Sequence, residues 1–262
     1  MSHFSKIAFI AQCSEILKPL VCEPKVLEIG SFDVNGSIRG CFAWASDYTG
    51  IDLVSGPGVD AVCSGHEYGE RNQYDIVLSC ECFEHNPFWL ETFINMIKLT
   101  KPLGYVVFTC ATTGRPEHGT TRTDIGSNPG GVQLQSDYYR NLTKKDFTKK
   151  LNLGLHFSQY AFFTTAISKD LLFFGVKRPW KIEQTNTVSE ADILAILDKL
   201  KSAVNQINQN IPKKPHDFPV LGRLNESFMT LASQVLSDKT YQDFRLIWIR
   251  LTHTLAGSLP RW

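Results

Sequence analysis

The chain has 262 residues, of which 27 are Lys or Arg and 26 Asp or Glu, for a formal net charge of +1. That length can bury a full core and still supply an appendage, while the near balance of charge leaves no electrostatic footprint for nucleic acid or for an anionic membrane surface. Seven cysteines, an odd number with no C-x-x-C pair, read as reduced thiols of a cytoplasmic protein rather than as a disulfide framework. Gln12, Ser14, Glu15 and Lys18 interrupt Met1 to Leu20, and no long apolar run follows, so neither a signal peptide nor a membrane partner is expected.

Ile7, Ile10, Ala11, Ser14 and Leu17 recur at helical spacing, so residues 1–24 are expected to form an N-terminal helix, either plain packing or a lid across a ligand mouth. Val26, Leu27 and Ile29 then make a short apolar run between Pro24 and Gly30, which fits a buried parallel strand. In open α/β sheets ligands sit beyond the carboxyl ends of the strands, where a glycine turn lets the backbone approach closely; Gly30 and Gly36 meet that need. A second strand-like run, Tyr48, Gly50 and Ile51, delivers Asp52 about twenty residues past Gly30, the separation at which an acid accepts hydrogen bonds from ribose hydroxyls.

The turn is acidic. A pyrophosphate there needs an electropositive nest of amides, but Glu28 precedes Gly30 and Asp33 lies within the turn. Like unit charges about 4 Å apart repel by roughly 4 kcal/mol at an effective dielectric of about 20. NAD and ATP are disfavoured, and Phe32 and Asp33 stand where a G-x-G-x-x-G pattern wants small residues. S-adenosylmethionine, with a sulfonium, an ammonium and no phosphate, suits the turn.

From here the chain resembles the class I S-adenosylmethionine-dependent methyltransferases. Val59 to Glu67 is similar to the family's third strand and adenine-contacting turn, Tyr74 to His85 to its fourth strand with a trailing Glu-His, and Gly104 to Thr109 to its fifth. The resemblance spans about Val26 to Lys177. It implies a Rossmann-like α/β fold, a mostly parallel seven-stranded sheet with helices on both faces, over residues 25–180. It also implies a cofactor set in which Glu28 and Gly30 hold the methionine end, Asp52 the ribose and the Ser64-Gly65 turn the adenine, with Ser31, Phe32, Asp33, Leu53, Cys80 and Glu81 as further cofactor contacts. Ser64 stands where members commonly carry Asp or Glu, and Gly30-Ser31-Phe32 is poorer in glycine than the usual turn.

Thr109 to Asn141 is a long polar segment, too long for an ordinary connection and therefore expected to face the substrate. Arg115, Arg122 and Arg140, with Tyr138 and Tyr139, make it a plausible acceptor pocket for sugars or anionic metabolites. If the acceptor is a hydroxyl its proton must leave, and His118, in Gly114–Gly119, or His85, after the fourth strand, is the expected base. Glu84, His85, Glu117 and His118 lack the spacing of a known helix or knuckle site, so no metal is expected. Asn86-Pro87-Phe88-Trp89 partly matches a motif that grips a flipped adenine, but Phe88 replaces its second proline.

A helix is expected around Asn141 to Lys150, capped by Asn141 or Thr143, then strands over His156 to Thr165 and Leu171 to Val176 that close the sheet. Residues 181–262 read as a C-terminal helical extension. Ser189 and Asp192 fit a helix start before the stripe Ile193, Leu194, Ile196, Leu197, Leu200, Val204 and Ile207. Ile211 to Pro219 is a linker, and further apolar faces follow at Leu224, Phe228, Leu231 and Val235 and at Phe244, Ile247, Trp248, Leu251 and Leu255. These stripes pack on each other or the core, or form a homodimer surface. The function expected is O-methylation of a polar small molecule, sugar or glycan. The alternatives are a non-catalytic module binding the cofactor or its product, and methylation of protein or nucleic acid.

Overall fold

The computed structural model describes residues 3–179, 189–210 and 219–256. Helix α1 (His3–Leu17) leads into β1 (Lys25–Ile29), β2 (Asp47–Asp52), β3 (Ala61–Val62) and β4 (Tyr74–Cys80), followed by α2 (Trp89–Leu99) and β5 (Thr100–Ala111). Then come α3 (Pro129–Gln133), α4 (Lys144–Lys150), β6 (Phe157–Thr164), β7 (Asp170–Lys177), α5 (Glu190–Asn210), α6 (Pro219–Val235) and α7 (Asp238–Ala256). The strands form one seven-stranded sheet of order β3-β2-β1-β4-β5-β7-β6. All pairings are parallel except β5 with β7 and β6 with β7. This is the Rossmann-like, mostly parallel architecture expected.

Alternation along the central strands feeds two cores, because successive side chains point to opposite faces. Val26, Ile76, Leu78, Val107 and Leu172 face α1 and α5; Leu27, Val77, Val106, Phe108 and Phe173 face α2 and α4. Ile193, Ile196, Leu200, Val204 and Ile207 of α5 are all buried in the first core, whereas Leu194, expected in the same stripe, is 49% exposed because it falls one position off the helical period of about 3.6 residues. That face is therefore covered by one helix that precedes all seven strands and one that follows them. The second core is built around phenylalanines: Phe108 stacks on Phe147 at 4.9 Å and on Phe173 at 5.0 Å between ring centroids.

Local signals were obeyed at several helix ends. Asp146 Oδ2 accepts the Thr143 amide at 2.8 Å, so Thr143 rather than Asn141 caps α4. Ser189 and Asp192 exchange hydrogen bonds at the start of α5 (2.9 and 3.2 Å). β5 begins at Thr100, earlier than the Gly104 start suggested by its apolar run. Tyr74 pairs with Thr100, the register breaks around Pro102 and Leu103 (φ 63°), and pairing resumes at Ile76–Tyr105; a proline has no amide to give to the ladder. Of the linker expected over Ile211 to Pro219, residues 211–218 lie outside the described residues, as do the side chains of Leu224, Leu251 and Leu255, and Pro219 instead opens α6. No helix of the described residues is long and apolar enough to cross a membrane.

Candidate functional site

The pairing of Ile29 with Ile51 and Ser79, and of Cys80 with Thr109, aligns the carboxyl ends of β1, β2, β4 and β5 along one sheet edge. A cleft of about 2340 Å³ opens over that edge. Gly30 (φ 81°) makes the first turn there, and a Cβ on it would lie 2.6 Å from Cys82 Cβ, so neither the backbone angle nor the space admits a side chain.

The amides of this turn point inward. Gly30 and Ser31 donate to Ile51 O (2.9 and 3.0 Å), Asp33 to Pro57 O (2.8 Å) and Val34 to Phe32 O (2.9 Å). Phe32 donates to Asp52 Oδ2 (3.2 Å) and Gly36 to Asp33 Oδ1 (2.6 Å). Carboxylates thus take the place that phosphate oxygens would occupy in an anion-binding nest. Glu28, 4% exposed, accepts a hydrogen bond from Tyr48 Oη at 2.6 Å. Burial, reinforced by the nearby charges of Asp52 and Asp33, pushes its carboxyl up to about 7 despite that bond and the Arg39 charge. Burial also raises Asp52. Leu53 stands 40% exposed beside it.

Further along the edge, Ser64 Oγ and His66 Nδ1 are 2.5 Å apart, and the His66 ring stacks on Phe88 at 4.5 Å. Ser64, Gly65, His66 and Phe88 together line a flat-walled end of the cleft. The rest of the Asn86–Trp89 motif is occupied structurally. Asn86 accepts from the Phe88 amide and donates to Thr92 Oγ1 (both 2.8 Å), opening α2, and Trp89 is buried against Phe147.

At the tip of β4, Cys80 lines the cleft and Glu81 adopts φ 55°. Glu81 accepts from Thr109 Oγ1 (3.0 Å) and faces Lys6 Nζ of α1 (3.5 Å) and Arg115 (3.4 Å). Burial opposes its charge, but the Lys6 ammonium and Arg115 guanidinium prevail and hold the carboxyl down near 2. Arg115 also pairs with Asp170 at 2.6 Å. It lines the cleft as a locked cation rather than a free one.

The segment after β5 is not a loose loop. Asn128 caps α3 by accepting from the Gly131 amide at 3.0 Å, and Gly130 lies beside Asp52 and Leu53, so part of the segment roofs the cleft at the end of β2. Arg122 bridges Glu117 and Asp243. Tyr138, Tyr139 and Arg140 do not line the cleft. Tyr139 Oη donates to Pro116 O (3.1 Å) and Asn141 Oδ1 (3.0 Å), while Arg140 pairs with Asp146. Tyr139 instead backs His85 and His118, its ring lying 5.5 and 5.1 Å from theirs.

His85 and His118 meet edge to face at 4.9 Å and both line the cleft. Burial keeps both imidazoles neutral, His85 down to about 3. Glu84 lies fully buried beside them, its carboxyl pushed up to about 8 by burial and by the charge of Glu81.

One wall could not be foreseen from motifs. Asn225, Met229, Thr230 and Ser233 of α6 and Tyr241, Arg245 and Trp248 of α7 line the cleft. Gln242 donates to Arg115 O (2.8 Å) and accepts from the Glu117 amide (2.9 Å), and Asp238 accepts from the Asn141 amide (3.0 Å). α7 thus clamps the long segment. Arg245 makes no ion pair among the described residues, and burial lowers its affinity for its proton. Helical periodicity marks α7 as amphipathic, but it cannot tell a cleft wall from a packing face.

No protein-family model and no curated protein sequence matches the chain. Among solved structures it is similar to the Burkholderia thailandensis 1,6-didemethyltoxoflavin-N1-methyltransferase with bound 1,6-didemethyltoxoflavin and S-adenosylhomocysteine, at 15% identity over 66% of this chain and 79% of that one (TM-score 0.45). It is also similar to the N-methyltransferase NodS from Bradyrhizobium japonicum WM9 in complex with S-adenosylhomocysteine, at 12% identity over 63% and 83% (TM-score 0.42). A possible histamine N-methyltransferase from Thermotoga maritima is similar at 14% identity over 66% and 91% (TM-score 0.40).

Proposed function

We propose that the chain is an S-adenosylmethionine-dependent methyltransferase acting on an oxygen of a polar small molecule, sugar or glycan. The observation that carries the cofactor half is the state of the Gly30 turn. The amides of Gly30, Ser31, Phe32, Asp33, Val34 and Gly36 are committed to carbonyls and carboxylates, which leaves a pyrophosphate few donors there, while a cationic ligand meets Glu28 and Asp52; Asp33, expected beside them, lies in the turn but does not line the cleft. Asp52 holds the ribose, and Ser64, Gly65, His66 and Phe88 the adenine.

Methyl transfer asks the protein mainly for alignment, because the sulfonium already activates the methyl group. The acceptor half of the proposal is supported by the opposite wall, where Arg245, Lys169, Asn225, Thr230, Ser233 and Trp248 join a guanidinium with no ion pair among the described residues and several hydrogen-bonding groups to an aromatic face. Such a wall suits hydroxyl-rich or anionic molecules. His85 and His118 line the same cleft, and on this reading they stand at the hydroxyl that loses its proton.

Calorimetry of the purified chain is expected to show adenosylhomocysteine binding and none of NAD. Asp52→Asn is expected to weaken it about tenfold or more, since hydrogen bonds to a charged group contribute about 1.5–3 kcal/mol. Tight binding of a phosphorylated dinucleotide with no response to adenosylhomocysteine would overturn the cofactor reading. Mass spectrometry of acceptors incubated with an isotopically labelled methyl donor tests the rest; label appearing only in protein or nucleic acid defeats the acceptor assignment.

A further inference from the structure

Glu84, His85 and His118 offer three ligand atoms that all lie within 4.8 Å of one another. Their spacing along the chain gives no sign of this, because His118 arrives on the segment after β5. Both carboxylate oxygens of Glu84 and Nδ1 of His85 are buried without a hydrogen-bond partner among the described residues. Orphaned buried polar atoms are rare, and here three of them belong to neighbouring side chains that converge.

The surroundings fix the rings. His118 donates from Nδ1 to Pro116 O at 3.0 Å, which sets its tautomer and leaves Nε2 as the atom with a free lone pair. A backbone carbonyl holding the second ring nitrogen is the usual support of a metal-bound histidine. Tyr139 donates to the same carbonyl and packs against both rings. Gly119 (φ 67°) closes the other side: a Cβ there would lie 2.7 Å from His85 Cε1.

We propose that Glu84, His85 and His118 form a binding site for one divalent first-row transition-metal cation, open to the cleft on its remaining side. Two imidazoles and a carboxylate suit Zn²⁺ and its neighbours, whereas Mg²⁺ and Ca²⁺ favour oxygen donors throughout. Ligand atoms about 2.0–2.2 Å from such an ion stand roughly 3.4 Å apart in a tetrahedral set, so the three side chains close in on binding. Glu81 is already matched by Lys6 and Arg115 and is not needed as a fourth ligand. The open position would take an acceptor oxygen. Where the proposed transfer applies, the metal-bound hydroxyl gives its proton to water and the O–CH₃ bond forms as the S–CH₃ bond breaks, with sulfur keeping the electron pair. Cation binding itself does not rest on that reading.

The test uses the full chain stripped with a chelator, then titrated with Co²⁺ by absorption and with Zn²⁺ by equilibrium dialysis. One equivalent is expected to bind, without competition from millimolar Mg²⁺, and Glu84→Gln and His118→Ala are each expected to weaken it by more than about 100-fold. His118 lies at the cleft surface, so its variant reads out independently of any folding cost at Glu84, and circular dichroism checks both. Absence of saturable one-equivalent binding, unchanged affinity in His118→Ala, or a thiolate-to-cobalt band showing cysteine ligands overturns the proposal. Adenosylhomocysteine binding by the wild-type chain, with and without the metal, reports separately on the cofactor reading.

Discussion

At Glu28 the sequence, the burial and the proposed ligand bear on one proton. The raised carboxyl, about 7, is largely protonated below neutrality in the free protein, yet a sulfonium and ammonium ligand favours its ionised form. Binding should therefore release a proton, and adenosylmethionine affinity should rise with pH between about 6 and 8 and then level off. Calorimetry in buffers of different ionisation enthalpy measures this directly, and Glu28→Gln should flatten the profile; a profile already flat in the wild-type chain contradicts the assignment. Glu28, Gly30 and Asp52 were legible in the sequence because they follow one another along a strand–turn–strand unit whose spacing is fixed by backbone geometry. The Arg115–Asp170 and Arg115–Glu81 pairs were not, since nothing local to Gly114–Gly119 says which distant carboxylates will meet the guanidinium.

Among the elements, the long segment after β5 owes its shape to α7. Gln242, only 3% exposed, satisfies the Arg115 carbonyl and the Glu117 amide together. Gln242→Ala leaves the buried Glu117 amide unpaired, at about 1–3 kcal/mol, while the Arg115 carbonyl keeps only the Asn141 Nδ2 donor at 2.8 Å. Urea denaturation is expected to register the loss, and limited proteolysis should cut between residues 113 and 141 before global unfolding. Equal stability and an uncut segment would mean that α7 only rests against it. Elements with a strong local signature, such as the capped start of α4 and the strand runs, were readable in advance. The segment's form was not, because polar Gly, Thr and Arg residues have no period, and their order comes from partners more than a hundred positions away.

For the molecule as a whole, the division at about residue 180 expected from composition does not coincide with a division of the core. Five buried apolar side chains of α5 cover the same sheet face as α1. At about 1.5–3 kcal/mol each, they match the entire net stability of an ordinary domain, about 5–15 kcal/mol. A chain ending at residue 180 is thus expected to lack cooperative thermal unfolding by circular dichroism, whereas a sharp transition there would show that residues 25–180 stand alone. The shared face also sets a schedule for biosynthesis. Ribosomes deliver α1 early and α5 only when the strands have long emerged, so the nascent sheet waits with one oily side only half covered until residue 210 is clear. During that interval the chain is most exposed to clumping and most in need of a chaperone.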